Sequence, residues 1–309
     1  MRSLGRLFAA RPTGAALVGA IAIAFSGILY KLAEVSPETG AFFRCLYALP
    51  PLWLLARWED ARFGSRPLRR GALAWLAGVF LAVDLLFWHH AIEAVGAGLA
   101  TVLANTQVVL VGLVAWVVLR ERPAARSLLA IPIAMTGIIM ISGVLEQGAY
   151  GENPPLGALF GVLAGLAYTG FLLALRDSSS DLRRVAGPLY DATLATAIVT
   201  LPLGLALGDL RFDEPVEAHL WMVLLALSSQ VGGWLLITIS LPRLPAVVTS
   251  ILLTLQPVGS VLFAALLIAE RPSALQLAGT AAILAGLVIA SASRRQRPTT
   301  EQVAEAPAG

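Results

Sequence analysis

Ten apolar runs of about 20 residues follow one another along this chain, the length a helix needs to cross roughly 30 Å of hydrocarbon. They fall near 14–34, 38–57, 72–92, 97–118, 125–144, 155–175, 186–207, 218–240, 245–268 and 274–293, and are numbered here as spans 1 to 10. The runs are continuously apolar and lack the alternation of barrel strands, so an all-α membrane protein is expected. Composition agrees: 58% of the 309 residues are hydrophobic and 13% charged. Mean hydropathy is +0.79. No stretch is long and polar enough for a sizeable soluble domain.

The isoelectric point near 9.4 could point to nucleic acid. Yet the basic residues stand singly or in small groups between apolar runs, which makes them topology signals instead. Arg2, Arg6 and Arg11 precede span 1 like the start of a signal peptide, but span 1 is too long and lacks a small-x-small cleavage site, so it reads as a retained helix. The single Cys45 lies inside an apolar run and offers neither a disulfide framework nor a thiolate metal site.

The chain also repeats itself. At a constant offset of 149, Gln107 pairs with Gln256, and Glu121, Arg122, Pro123 pair with Glu270, Arg271, Pro272. Leu103, Val109, Leu113, Ala115, Gly137 and Ser142 recur in the same register. Five spans per copy is odd, so the second copy enters the membrane in the opposite sense. The expected architecture is therefore ten transmembrane helices in two inverted five-helix repeats, 14–144 and 155–293, with 296–309 a disordered cytoplasmic tail. An N-terminus in the cytoplasm puts 18 of the 22 cationic residues inside, leaves Lys31, Arg211 and Arg271 outside, and buries Arg44 in span 2. That bias predicts a multi-pass inner-membrane protein with both termini cytoplasmic.

Ionisable groups in hydrocarbon cost about 2.5 to 3.5 kcal/mol each on insertion scales and should face protein or a water-filled cavity. Arg44 and Asp84 both lie roughly 10 Å below the outer end of their helices at 1.5 Å per residue, so they are expected to form an intramembrane charge pair, structural or functional. Asp191 aligns with Arg44 at an offset of 147 and is expected near the inner face, solvated at the start of span 7. His89 and His90, at the outer end of span 3, read as hydrated interfacial residues. Metal ligation is not expected, because adjacent helical residues diverge by about 100° and no further ligand cluster is near in sequence. Gly157, Gly161 and Gly165 mark a face of span 6 packed closely on a neighbour.

Spans 4 and 9 carry matching polar stripes: Thr101 and Asn105 in one, Ser250 and Thr254 in the other, with Gln107 and Gln256 near mid-span. Span 8 offers Gln230, Trp234 and Thr238 at four-residue spacing, and span 3 offers Asp84 with Trp88. Hydrogen-bonding groups beside aromatic walls suit a small organic ligand, and these residues are the candidate lining of a mid-membrane cavity. The same groups could instead join helices. No cofactor is expected.

The arginine early in span 2 (Phe42, Phe43, Arg44, Cys45, Leu46), the two long helices closed by Glu-Arg-Pro, and the run from Gln230 to Pro272 with Pro242, Arg243, Leu244, Pro245 resemble the EamA-type transporters of the drug/metabolite transporter superfamily. The resemblance covers about residues 14 to 293. It implies a secondary carrier of small organic metabolites, amino-acid-like or related, exporting them by alternating access, with the coupling to protons or another ion left open. Relatives often place Glu-Pro where this chain has Gln256 and Pro257, so an acid-driven role does not carry over to that position. Small four-span relatives use a glutamate in their first span, and span 1 here has none before Glu34. A lipid or lipid-linked-sugar flippase on the same fold is the alternative. A membrane enzyme is disfavoured, because no HExxH, phosphate-cradling loop or nucleophile elbow is present. A reporter fused after Gly309 should read as cytoplasmic, and a periplasmic signal would refute the span count or the orientation.

Overall fold

Backbone N–H and C=O groups find no water in hydrocarbon, so each crossing segment must bond within itself. The computed structural model describes residues 12–107, 109–110, 125–179, 181, 183–240 and 246–292, and the side chains of all these except 12, 125–128, 246–254 and 290–292. Among them every regular element is helical. Five helical stretches are long and apolar enough to cross a membrane: Thr13–Ala33, Leu68–Val95, Pro154–Ser178, Ala186–Leu207 and Val216–Ser240. They are spans 1, 3, 6, 7 and 8. Span 2 is the helix Pro37–Phe63, capped by Ser36 and charged at both ends. Shorter apolar helices represent span 5 (Leu129–Ile141), span 9 (Leu255–Leu267) and span 10 (Ala274–Ile289). The tail from 296 lies outside the described residues, as do Glu121, Arg122 and Pro123.

Two spans are less regular than their sequence suggests. Span 4 begins as a helix at Ala97–Ala104 and is broken by a turn at Asn105 and Thr106. Span 8 is α-helical over Val216–Leu225, becomes a π-helix over Ala226–Gly233, and returns to α-helix over Trp234–Ser240. A break or a π-turn re-aims the side chains that follow, and such features gather where function does.

The packing has a pattern. Span 2 lies against span 7 with its start at the other's end: Thr39 Oγ1 donates to the Asp209 carbonyl at 3.1 Å. The opposite ends also meet, since the Val185, Ala186 and Gly187 N–H groups donate to the Glu59 carboxylate. Spans 4 and 9 are likewise antiparallel, with Gly98 against Val261. Spans 5 and 10 are too, with the Ile141 carbonyl accepting from Gln276 Nε2 at 3.2 Å. The remaining major contacts come in matched sets: span 3 on 6 with span 8 on 1, span 1 on 9 with span 6 on 4, and span 2 on 8 with span 7 on 3. Exchanging each span for the one five places along leaves these three pairs of contacts unchanged, as expected of a duplicated unit.

Small residues set these distances, because helices in lipid associate through close backbone approach. Gly157 sits on Val95, Gly161 on Leu103, and Gly165 on the Ala104 carbonyl where span 4 breaks. Between spans 5 and 10, a Cβ added at Gly137 would stand 2.6 Å from the Gly279 carbonyl oxygen, and one at Gly279 would stand 2.7 Å from that of Gly137. Gly137→Ala should therefore lower stability by about 1–3 kcal/mol, the usual cost of overpacking. Gly71→Ala, with open space around it, should be neutral or gain up to about 1 kcal/mol from helix propensity. Thermal unfolding of both variants in detergent checks the contrast.

Candidate functional site

Arg44 is 3% exposed, yet its guanidinium meets no carboxylate within ion-pair distance among the described residues. The Arg44–Asp84 contact expected from matching depth is not formed. Arg44 Nη2 instead donates to Gln230 Oε1 at 3.2 Å, across from span 2 to span 8. Gln230 Nε2 in turn donates to Thr193 Oγ1 on span 7, also at 3.2 Å. The guanidinium carbon lies 5.8 Å from the centre of the Trp88 ring, a cation–π distance. Trp88 is buried beside the charge. Asp84, one turn earlier, is buried as well, close enough for its charge to act on Arg44, and hydrogen-bonds no described residue.

Gln230, which reaches between spans 2 and 7, stands in the π-helical stretch, where Ser229 Oγ is also buried without a hydrogen-bond partner among the described residues. The last α-helical part of span 8 then turns Trp234 toward span 6. There it meets Phe171 edge-on at 5.1 Å and Tyr168 at 6.0 Å. Tyr168 lies within reach of the Asp84 charge. The Thr238 hydroxyl donates to the Trp234 carbonyl of its own helix at 2.6 Å, so that end of the stripe satisfies itself. The cluster therefore unites Arg44, Asp84, Trp88, Gln230 and Trp234 and adds Thr193, Tyr168 and Phe171, which were not singled out in the sequence. Thr193 had a signal: at the repeat offset of 149 it is the counterpart of Arg44. The offset of 147 instead pairs Arg44 with Asp191. Asp191 is only partly exposed and pairs with Arg66 at 2.8 Å rather than resting in solvent.

The polar stripe of span 4 divides. Thr101 Oγ1 donates to the Ala97 carbonyl and accepts from Ser260 Oγ of span 9 at 3.1 Å, so it joins helices. Asn105 Nδ2 donates to the Thr101 carbonyl at 2.8 Å, just where the helix ends. Gln107 and Gln256 are buried, and neither side chain hydrogen-bonds a described residue. The Ser250 and Thr254 side chains lie outside the described residues. The expectation for His89 is overturned. It is 0% exposed, stacked on Tyr30 at 4.0 Å, with Nδ1 3.1 Å from the Pro37 carbonyl oxygen and Nε2 without a partner among the described residues. Only His90 reaches the surface, and its Nε2 lies 3.1 Å from Glu38 Oε1. No group of three or more metal-ligating side chains occurs among the described residues.

The second Glu-Arg-Pro closes the end of the bundle above this cluster. Glu270 accepts from the Ala97 N–H at 2.6 Å and the Gly98 N–H at 3.0 Å, the free first donors of span 4. Gly96 (φ +89°) makes this fit, since a Cβ there would stand 2.8 Å from Glu270 Oε1. Burial pushes the Glu270 carboxyl above the usual carboxylate range, against the pull of the two N–H groups and the Lys31 charge.

A family model described as the EamA-like transporter family matches residues 13–143 and again 155–292. The chain belongs to that family. No curated protein matches the sequence significantly. One solved structure, titled only as the crystal structure of a protein, is similar in fold at 16% identity and a TM-score of 0.57, covering 93% of this chain and 98% of that one. The match makes the protein a multi-pass membrane transporter built on a duplicated unit, which the apolar helices support.

The glutamate of the second Glu-Arg-Pro thus caps a helix of the other unit, 173 residues away in sequence. Glu270→Ala should cost about 1–2 kcal/mol as a lost N-cap and speed hydrogen exchange at Ala97 and Gly98. Glu270→Gln, which keeps one acceptor oxygen, should lie between. Unchanged exchange in Glu270→Ala would show that the cap does not hold span 4.

Proposed function

We propose that this protein is a secondary carrier that exports small organic metabolites, amino-acid-like or related, across the inner membrane by alternating access. In this reading the chain forms ten spans in two inverted five-span repeats, about 14–144 and 155–293, with both termini cytoplasmic. The end that holds Glu270 then faces outward, and the end that holds Arg66 and Arg184 faces inward. The cationic residues agree, with Lys31, Arg211 and Arg271 at the first end and Arg57, Arg62, Arg66, Arg69, Arg70, Arg183 and Arg184 at the second.

The observation that carries the proposal is the meeting of Arg44, Gln230 and Thr193. Span 2 and its repeat counterpart span 7 both reach the same amide of span 8, so a hydrogen-bonded polar centre lies where the repeats join. Alternating access needs such a centre, with closures above and below it that can open in turn. Glu270 on span 4 is a closure at one end, and Glu59 on the start of span 7 is one at the other. The surface grooves lined by Arg66, Trp75 and Asp191 and by Lys31, Ser36 and Glu93 do not include Arg44. The burial of Arg44 against Trp88 of span 3 and Gln230 of span 8 favours the carrier over a flippase on the same fold, which would present its polar centre at a lateral opening.

Flux into vesicles, normalised to folded protein, tests this. Gln230→Ala and Asn105→Ala should lower flux by about tenfold or more, equivalent to ~1.4 kcal/mol, at near-normal folded yield. Thr101→Ala, which loses the joint to Ser260, should lower yield and leave the flux of each folded molecule intact. Normal flux per molecule in Gln230→Ala would remove the centre from the transport path.

A further inference from the structure

The helix of span 2 is longer than the hydrocarbon it crosses. At 1.5 Å per residue its 27 residues reach about 40 Å, roughly a bilayer with both headgroup layers. The end that holds Glu59 therefore stands among headgroups. On the last turns leading there, Trp53, Leu54, Arg57, Trp58 and Arg62 are all exposed. The Arg57 guanidinium lies over the Trp53 ring, 6.0 Å from its centroid, and that of Arg62 lies over the Trp58 ring at 5.6 Å. Each cation thus stacks on the aromatic ring one turn closer to the middle of the membrane.

Neither arginine has a carboxylate partner among the described residues. The acids of spans 2 and 7 at this end are engaged elsewhere. Glu59 accepts the first N–H groups of span 7, Asp60 pairs with Arg184 at 3.4 Å, and Asp191 pairs with Arg66 at 2.8 Å. A topology signal needs only charge. Stacking adds a fixed orientation, because the ring covers one face of the guanidinium and leaves its in-plane N–H donors free. Parallel donors in one plane bond a phosphate in two-pronged fashion. The tryptophans complete the pattern, since an indole beside Leu54 suits acyl chains with its ring and the headgroup layer with its N–H.

We propose that the two stacked pairs of span 2, Arg57 with Trp53 and Arg62 with Trp58, seat the headgroup phosphates of anionic phospholipids in the leaflet at the Glu59 end. The guanidinium takes the phosphate, and the indole with Leu54 receives the start of the acyl chain. A zwitterionic lipid offers the same phosphate but brings a cation of its own, so the site favours lipids with a net negative charge. Glu59 and Asp60 stand between the two arginines on the same helix. A lipid seated here therefore also steadies the turn that caps the start of span 7.

The test titrates the purified full-length protein, in neutral detergent, with phosphatidylglycerol, with phosphatidylcholine of the same acyl chains, and with glycerol phosphate. Phosphatidylglycerol should raise the melting temperature by mass action and slow hydrogen exchange at Val185, Ala186 and Gly187. Phosphatidylcholine should need about fivefold more lipid for the same shift, the weight of roughly one cation near an anionic surface. Arg57→Gln combined with Arg62→Gln should weaken the phosphatidylglycerol response about fivefold or more. Both positions are exposed, so the variant should fold. The corresponding double lysine variant, which keeps the charge and loses the planar fork, should fall between. Arg176→Gln is the control: Arg176 is exposed at the same end on span 6 and makes no described ring contact, so this variant should respond as the wild type does. Equal losses in Arg176→Gln and in the double glutamine variant would reduce the effect to diffuse charge and overturn the proposal. Phosphatidylcholine acting as well as phosphatidylglycerol, or neither lipid acting, would overturn it too. Stabilisation by glycerol phosphate at the same concentration would assign the arginines to a soluble phosphate instead of a lipid.

Discussion

A bilayer answers no charge and no free helix end, and most of what is distinctive in this structure follows from that constraint. The first N–H groups of a helix are unsatisfied wherever it starts. In water they would be hydrated. Here the start of span 4 is answered by Glu270 and the start of span 7 by Glu59, each a glutamate from a different part of the chain. A carboxylate placed on those donors also interacts favourably with the helix dipole. Each such contact therefore does two things at once: it removes an electrostatic penalty and it pins two distant spans together at one end of the bundle. Contacts that close an end and depend on one side chain are suited to opening, because releasing them exposes groups that water can take over.

Much of the scaffold was legible in the sequence because its causes are local or periodic. Span lengths follow from the thickness of hydrocarbon, and the duplication is written directly in the recurrence of Gln107 as Gln256 and of Glu-Arg-Pro. The glycines of span 6 follow from the need for close approach. The site was less legible, for reasons of rotation and reach. Arg44 and Asp84 share a depth, but depth does not say which way each side chain points, and Arg44 turns to Gln230. His89 stands near a helix end, where water would normally reach it, but Tyr30 stacks over it and seals it. The π-helical stretch that carries Gln230 has no periodicity to betray it. Glu270 was visible as a motif, whereas the backbone it caps lies 173 residues earlier and could be found only in three dimensions.

The register of the repeat is most informative where the two copies differ. At an offset of 149 the counterpart of Arg44 is Thr193, and the two sit on opposite sides of the Gln230 amide. One copy supplies a permanent charge, the other a hydroxyl that can only hold the amide in place. Several of the span-on-span contacts around them recur when each span is exchanged for the one five places along.

That division assigns different parts of the sequence to different work. The small residues of spans 5, 6 and 10 set the close approach of helices, and the glutamates at helix starts tie distant spans together. The polar centre adds one buried cation, Arg44, which the Gln230 amide holds in position. Gln230 is suited to that role because an amide oxygen orients a guanidinium while leaving its charge intact, whereas a carboxylate would have cancelled it. The π-helical stretch that carries Gln230 thereby places a neutral amide between Arg44 of span 2 and Thr193 of span 7.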